Sequence, residues 1–211
     1  MTPHPNDSTG PAPDGFDLVL PPGWDTVPLR SGTNEAIQRI VKKSVSQLPA
    51  SFPKDAIPNA RLKLIKELKD SIKKARKSDG LTLYLPVERM HGLLIPASFV
   101  ASKPLAAPTT SAEPRAVLHD LARTSEDASV RRLDGSDAVR TLRKQTASPD
   151  RGVDVPSWHV QYTVPIPGPA PTHWLTFSFG TLTTTAVDLE FTETLIDLFD
   201  AVMTTFRWSY A

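Results

Sequence analysis

The chain has 211 residues, with 24 Lys and Arg against 23 Asp and Glu, 21 prolines and no cysteine. A chain of this length can fold around a hydrophobic core without a metal or disulfide staple, and the missing cysteines exclude disulfides, thiolate metal sites and thiol nucleophiles. No apolar run reaches the roughly 18 residues of a membrane helix, and the N-terminus has neither the basic nor the apolar region of a secretory signal. We therefore expect a cytoplasmic protein without a signal peptide.

The N-terminal half begins with a polar tail and one strand. Residues 1–14 are rich in Pro, Gly, Ser and Asp, a composition that predicts disorder, and we expect one domain over residues 15–211. Apolar and polar residues alternate from Phe16 onward, which predicts a strand that ends at Pro-Pro-Gly-Trp, with Trp24 anchoring the turn. Apolar residues at helical spacing then predict a pair of helices within residues 33–78.

The second half contains mostly strands. Residues 81–87 and 92–102 are predicted strands, residues 113–124 a short helix, and Asp134-Gly135-Ser136 the turn of a hairpin within 128–145. Strict alternation predicts two long strands at 158–168 and 173–182. Apolar residues at steps of three and four predict a final helix over about 187–207. Proline-rich stretches at 103–114 and 147–157 are predicted loops. Short turns between consecutive strands predict an α+β fold, an antiparallel sheet of six or seven strands flanked by helices.

The sequence contains none of the common motifs for catalysis, phosphate binding or zinc binding. The chain has no glycine-rich phosphate loop, no G-x-S-x-G and no H-E-x-x-H. The five histidines are scattered, and only His159 and His173 would approach each other if the two late strands pair; two half-exposed sheet histidines are favoured there over a metal site. We expect no catalytic residues, metal or cofactor. We assign the acidic residues of the final helix to a solvated face, and they are Asp188, Glu190, Glu193, Asp197 and Asp200.

Charge is distributed unevenly along the chain. Residues 39–77 contain twelve Lys and Arg but only three acidic residues, a local net charge of +9 in a chain whose total is +1. The simplest interpretation is a solvated helix face. A docking surface for an acidic protein is the functional hypothesis, and nucleic acid is less favoured because lysine predominates and interleaved aromatic residues are missing. The candidate partner-binding residues are Lys42, Lys43, Lys63, Lys66, Lys69, Lys73, Lys74 and Lys77.

Three short segments carry a resemblance to a known family. Leu20–Trp24 contains Pro-x-Gly-Trp, Ala138–Arg140 follows the hairpin turn, and Leu195–Phe206 forms most of the final helix. Together they resemble the PsbP-like superfamily, which includes the PsbP subunit of photosystem II, a Ran-binding nuclear-import factor and the bacterial LpqN lipoproteins. The resemblance implies a bacterial member with an α/β/α sandwich and a role in binding or assembly. The chain departs from LpqN in having no lipidation cysteine, and its basic helices are larger than the family implies.

Three classes of function are compatible with these observations. The first is a non-enzymatic interaction module or accessory factor that binds a protein partner with an acidic surface. The second is a polyanion or nucleic-acid binder that uses residues 39–77. The third is an enzyme whose site no motif identifies, which titratable groups with shifted pKa values in a pocket would favour. We favour the first.

Overall fold

Seven antiparallel strands form the central sheet of the computed structural model. The structure describes residues 11–90, 92–93, 95–103, 114–125, 127–147, 155–168, 173–183 and 189–210. The strand order is β2-β3-β4-β8-β7-β6-β5, and a separate two-stranded ribbon joins β1 to β9. The α+β class and the seven-stranded antiparallel sheet flanked by helices are therefore confirmed. The strands are β1 Gly15–Asp17, β2 Trp24–Pro28, β3 Gly80–Pro86, β4 Ala97–Ser102, β5 Ala128–Leu133, β6 Ser136–Gln145, β7 Ser157–Pro165, β8 Trp174–Leu182 and β9 Arg207–Ser209.

Helices cover both faces of the sheet. They are α1 Thr33–Ser46, α2 Ile57–Lys77, α3 Pro114–Thr124 and α4 Leu189–Thr204, with a 3-10 turn at Lys54–Ala56 before α2. On one face, which we call the front, α4 packs against a cluster that includes Tyr84, Phe99 and Phe177. On the opposite face, the back, α1 and α2 pack over β2 and β3, and α3 packs over Val139 and Trp174. Alternation along the strands supplies both faces, since Leu83 of β3 lies in the back cluster while Tyr84 lies in the front cluster.

The chain around Pro-Pro-Gly-Trp differs from the prediction of one strand that ends there. Instead, β1 ends at Asp17, the two prolines lie between strands, and Trp24 is the first residue of β2. Gly23 has φ +80°, a left-handed conformation that glycine adopts at little cost, so the chain turns there. Trp24 packs against Phe99 with ring centroids 5.8 Å apart, and its contact with the core was therefore expected correctly.

The end of the chain also differs from the prediction. The last helix ends at Thr204, and residues 207–209 form β9, whereas the spacing predicted helix to about residue 207. At the end of the helix the hydroxyls of Thr204 and Thr205 donate to the carbonyls of Ala201 and Val202 at 2.7 and 2.6 Å, and the Val19 N–H donates to Thr205 Oγ1 at 2.9 Å. The backbone N–H of Trp208 donates to Asp134 Oδ2 at 2.9 Å. These bonds direct the chain out of the helix and along β1.

The fourth strand is shorter than predicted, whereas the end of α2 is close to its predicted position. The strand expected at 92–102 begins only at Ala97, directly after Pro96, which cannot donate to a ladder. Helix α2 ends at Lys77, close to the predicted end, and Gly80 begins β3. Residues 1–10 of the expected tail and most of the two expected loops, 104–113 and 148–154, lie outside the described residues.

Candidate functional site

The outer faces of α1 and α2 carry most of the candidate lysines. Both helices bury an apolar stripe against β2 and β3, so their remaining positions face solvent. Lys43 is half-buried and pairs with Glu88, Nζ to Oε1 2.7 Å, and Lys63 lies 4.0 Å from Glu67 one helical turn away. The other six candidate lysines are exposed, and they are Lys42, Lys66, Lys69, Lys73, Lys74 and Lys77.

Three of these lysines line a groove between the N-terminal end of α1 and the C-terminal half of α2. The groove has a volume of about 860 Å³. We call it the basic groove and define it by Arg30, Lys69, Lys73, Arg76 and Lys77. Glu35 is the acidic residue among its described lining residues, so the five cations exceed the acidic charge by four. The structure thus brings Lys69, Lys73 and Lys77 together at one site.

Backbone groups add to the positive potential of the basic groove. Helix α1 begins after Gly32, whose φ is +74°, and no side chain caps the helix. Uncapped N–H groups and the aligned peptide dipoles make a helix N-terminus favourable for negative charge. Arg76 fixes the groove wall, since its Nε donates to the Leu29 carbonyl at 2.7 Å and its Nη2 to Thr33 Oγ1 at 2.9 Å. The groove therefore has the charge and the donors to hold carboxylate groups.

Sequence reasoning missed Arg30 and Arg76 as members of this site. Arg76 lies three residues after Lys73 on one helix, so helical spacing alone could have placed it on the same face. Arg30 follows β2 and is distant from α2 in sequence. Only the pairing of β2 with β3 brings the start of α1 beside the end of α2, and no local pattern predicts that pairing.

Other cations of residues 39–77 are neutralised within the fold. Arg39 Nη2 lies 2.8 Å from Asp25 Oδ1. Burial acts to raise the pKa of Asp25, but hydrogen bonds from Arg39 and the Thr26 N–H, together with the charges of Arg39 and Lys43, outweigh burial and leave that pKa below its ordinary value. With Lys43 paired to Glu88, the uncompensated charge is concentrated on α2 and at the groove.

The two late histidines lie far apart. Strands β7 and β8 pair as expected, but His159 stands opposite Gly180, whereas His173 precedes Trp174, which pairs with Pro165 at the other end of β7. Six residues of strand separate these positions, about 20 Å at the usual rise. The two histidines therefore do not form a site together. No group of three or more potential metal ligands occurs among the described residues.

His159 and Ser157 form the Ser–His contact that most resembles catalytic machinery in the described structure. Ser157 Oγ and His159 Nε2 are 2.9 Å apart, and partial burial lowers the pKa of His159 below its ordinary value. Ser157, however, is itself buried, and it is not among the residues that line the neighbouring cleft, although His159 is. A nucleophile must reach the substrate, so this contact orients the imidazole.

One acidic residue of the final helix was assigned to the wrong face. Glu190, Glu193 and Asp197 are exposed as expected, and Asp188 lies outside the described residues. Asp200 instead turns toward the sheet, where Arg140 Nε donates to its two carboxylate oxygens at 2.9 and 3.0 Å. The hydroxyl of Tyr162 donates to Asp200 Oδ1 at 2.8 Å. The partner, Arg140, is on a strand 60 residues away in sequence, and helix periodicity alone does not reveal it.

Comparisons with known proteins show a likeness in structure but not in sequence. Neither a protein-family model nor a curated protein matches the sequence. The fold is similar to the crystal structure of LpqN, a protein involved in cell envelope biogenesis of Mycobacterium tuberculosis. The TM-score is 0.46 at 13% sequence identity, and the alignment covers 93% of this chain and 86% of LpqN. Membership of the PsbP-like superfamily stays a prediction. Within the described residues, every helix is too short or too polar to span a bilayer.

Proposed function

We propose that the chain is a non-enzymatic binding module whose basic groove docks an acidic segment of a protein partner. The observation that supports this most directly is the concentration of five cations around the uncapped start of α1, with Glu35 as the acidic residue in the described lining. Like charges held this close repel one another in the free protein. An acidic ligand would relieve that repulsion, so the groove favours negatively charged partners.

The composition of the groove favours carboxylates over nucleic acid. Three of its cations are lysines, and Arg76 already donates to Leu29 and Thr33, which leaves it fewer free donors for a phosphate. No aromatic side chain is among the described residues that line the groove, although single-stranded nucleic acid usually stacks on such rings. Acidic side chains on a flexible segment need only charge and N–H donors, and the groove offers both.

The test uses two labelled polyanions of equal charge, a polyglutamate peptide and a DNA duplex. Polyglutamate should bind the protein, and its affinity should fall with added salt because the Debye length shrinks from about 10 Å at 0.1 M to about 3 Å at 1 M. Reversing Lys69, Lys73 and Lys77, the three lysines of the groove, to glutamate should weaken peptide binding by about tenfold or more. All three side chains are exposed, so the fold should persist, which circular dichroism can check.

A matched variant controls for net charge. Reversing Arg123, Arg131 and Arg132 to glutamate changes the net charge equally, but these exposed residues lie on α3 and β5, at the sheet edge opposite β2. Peptide affinity should remain near that of the unmodified protein. Equal losses in both variants, or no loss in the first, would contradict docking at the groove. Binding of the duplex in preference to the peptide would support the nucleic-acid alternative instead.

A further inference from the structure

A second cleft lies on the back of the sheet, away from the basic groove. Strands β6, β7 and β8 form its floor, and Leu121 and Ser125 at the end of α3 form a wall. Its volume is about 580 Å³, within the range of about 300 to 1,000 Å³ that small-molecule sites occupy. We call it the sheet cleft. Its size suits a compact organic molecule rather than a polypeptide segment.

Polar side chains from three paired strands meet on the floor of the sheet cleft. The strand register places Arg143 opposite His159 and His159 opposite Gly180. The next row toward the interior of the sheet aligns Thr141 with Gln161, and Gln161 with Ser178. Of these side chains, Arg143, His159, Gln161 and Ser178 are exposed although β7 and β8 are interior strands. Gln161 Nε2 donates to Thr163 Oγ1 at 3.2 Å and keeps a second N–H, so the floor offers a compact set of hydrogen-bond donors to a ligand.

The imidazole of His159 is held in place on this floor. Its Nε2 lies 2.9 Å from Ser157 Oγ. On its other side the ring lies against Gly180, which has no side chain. A Cβ at position 180 would be 3.4 Å from His159 Nδ1, which is closer than most contacts of a Cβ atom, so glycine at this position leaves room for the ring. A ring fixed on both sides loses little conformational entropy when a ligand binds.

Charge decides which ligand chemistry fits the sheet cleft. Arg143 supplies the cation, since the ammonium of Lys144 lies 3.9 Å from the centroid of the Trp158 ring on the front of the sheet, and no acidic residue is among the described residues that line the cleft. The groups that face His159 are Arg143 from β6, Ser157 and Gln161 from its own strand, and Gly180 from β8. A guanidinium with neighbouring neutral donors matches the geometry of a carboxylate or phosphate group.

We infer that the sheet cleft binds a small organic anion through a carboxylate or phosphate group, with Arg143 as the charged anchor and His159, Gln161 and Ser178 as further contacts. This site is separate from the basic groove, because the two share no lining residue among those described. Failure of either proposal therefore leaves the other unaffected.

His159 supplies a direct readout of binding. Burial alone lowers the pKa of this imidazole, and an anion placed beside the ring would favour the imidazolium and raise that pKa. The test follows the His159 Cε1–H resonance by NMR across pH, with succinate, inorganic phosphate or uncharged succinamide added at constant ionic strength. We expect succinate or phosphate to shift the resonance in a saturable way and to raise the pKa of His159, whereas succinamide should change neither.

Two variants locate the bound anion. Arg143→Gln should weaken binding by about tenfold or more, and because Arg143 is exposed the variant should fold. Lys73→Gln removes a cation from the basic groove and should leave binding in the sheet cleft unchanged. A response to phosphate alone or to succinate alone identifies the headgroup and supports the site. The proposal is overturned by no saturable shift with either anion, by equal affinity in Arg143→Gln, or by loss of binding in Lys73→Gln.

Discussion

Asp200, Arg140 and Tyr162 form a polar connection between α4 and the sheet. Arg140 is 8% exposed, and Asp200 provides its counter-charge through contacts at 2.9 and 3.0 Å. Burial and the Asp200 carboxylate both raise the pKa of Tyr162, so its hydroxyl stays protonated and donates to Asp200 over the whole physiological range. These contacts fix the side of α4 that faces β6 and β7.

Asp200→Asn should destabilise the fold, because it leaves the Arg140 guanidinium without a counter-charge in a largely desolvated position. Removing one partner of a fully buried pair costs about 3 to 5 kcal/mol. The Asp200 side chain is 28% exposed, and water therefore reduces the expected loss to roughly 1 to 3 kcal/mol. Urea denaturation of the variant measures it. Asp197→Asn, on the exposed side of the same helix, should change the free energy of unfolding by less than about 0.5 kcal/mol; similar losses in both variants would show that the ion pair contributes nothing specific.

At the scale of elements, α4 is held against the front of the sheet by contacts between aromatic rings. Phe199 is 2% exposed and packs on Phe179, Phe99 and Tyr162 with ring centroids 4.8, 5.3 and 5.8 Å apart. Aromatic pairs at such distances add to the free energy gained by burial. The ring of Phe199 is thus the main attachment of the middle of the helix.

Phe199→Ala should lower the free energy of unfolding by about 3 to 5 kcal/mol, since it removes a buried ring and leaves a cavity among three aromatic neighbours. Lys73→Ala, which truncates an exposed side chain of α2, should change it by less than about 0.5 kcal/mol. Denaturant midpoints of the two variants at equal protein concentration give the comparison. A shift in Lys73→Ala as large as that in Phe199→Ala would mean that the buried and exposed faces are assigned wrongly.

The elements show which features a sequence can predict. Long periodic stretches predicted α1, α2, α4, β7 and β8 because each pattern reports its own buried face. Strand β9 was missed because three residues carry no periodicity; their conformation depends on pairing with β1, nearly two hundred residues away. Only some residues of the basic groove could be predicted, because the others also depend on contacts between distant parts of the chain. Helical spacing placed Lys69, Lys73 and Lys77 on one face, but only tertiary contacts add Arg30, and the sheet cleft depends wholly on strand register.

Across the whole molecule, charge separates along with the layers. The basic face of α1 and α2 lies on the back of the sheet, and the exposed acidic residues Glu190, Glu193 and Asp197 lie on α4, on the front. Although the net charge is only +1, the exposed faces of these helices on the two sides of the sheet therefore carry opposite charge. Such a distribution would steer the acidic partner that we propose toward the basic side and repel it from the other.

The stability of the two layers is also coupled, because the same strands supply residues to the clusters on both faces. Leu83 and Tyr84 are neighbours on β3, and Phe99 and Val100 are neighbours on β4, yet each pair is divided between the back and front clusters. Loss of one cluster would expose one side of these strands to water and so destabilise the strands that the other cluster also needs. We therefore predict that the chain unfolds as one domain in a single cooperative transition.

Two spectroscopic signals can test this cooperativity because they report on different clusters. Helices α1 and α2 contribute more than half of the α-helical residues in the described structure, and so dominate far-ultraviolet circular dichroism. All four tryptophans lie in or against the other clusters. Ile40, which is 1% exposed in the back cluster, provides the perturbation: Ile40→Ala should cost about 2 to 5 kcal/mol. In one cooperative domain, this variant should lower the urea midpoints of the dichroism and fluorescence curves by the same amount. A variant whose dichroism falls at a lower urea concentration than its tryptophan fluorescence would show that the helix pair unfolds as a separate unit.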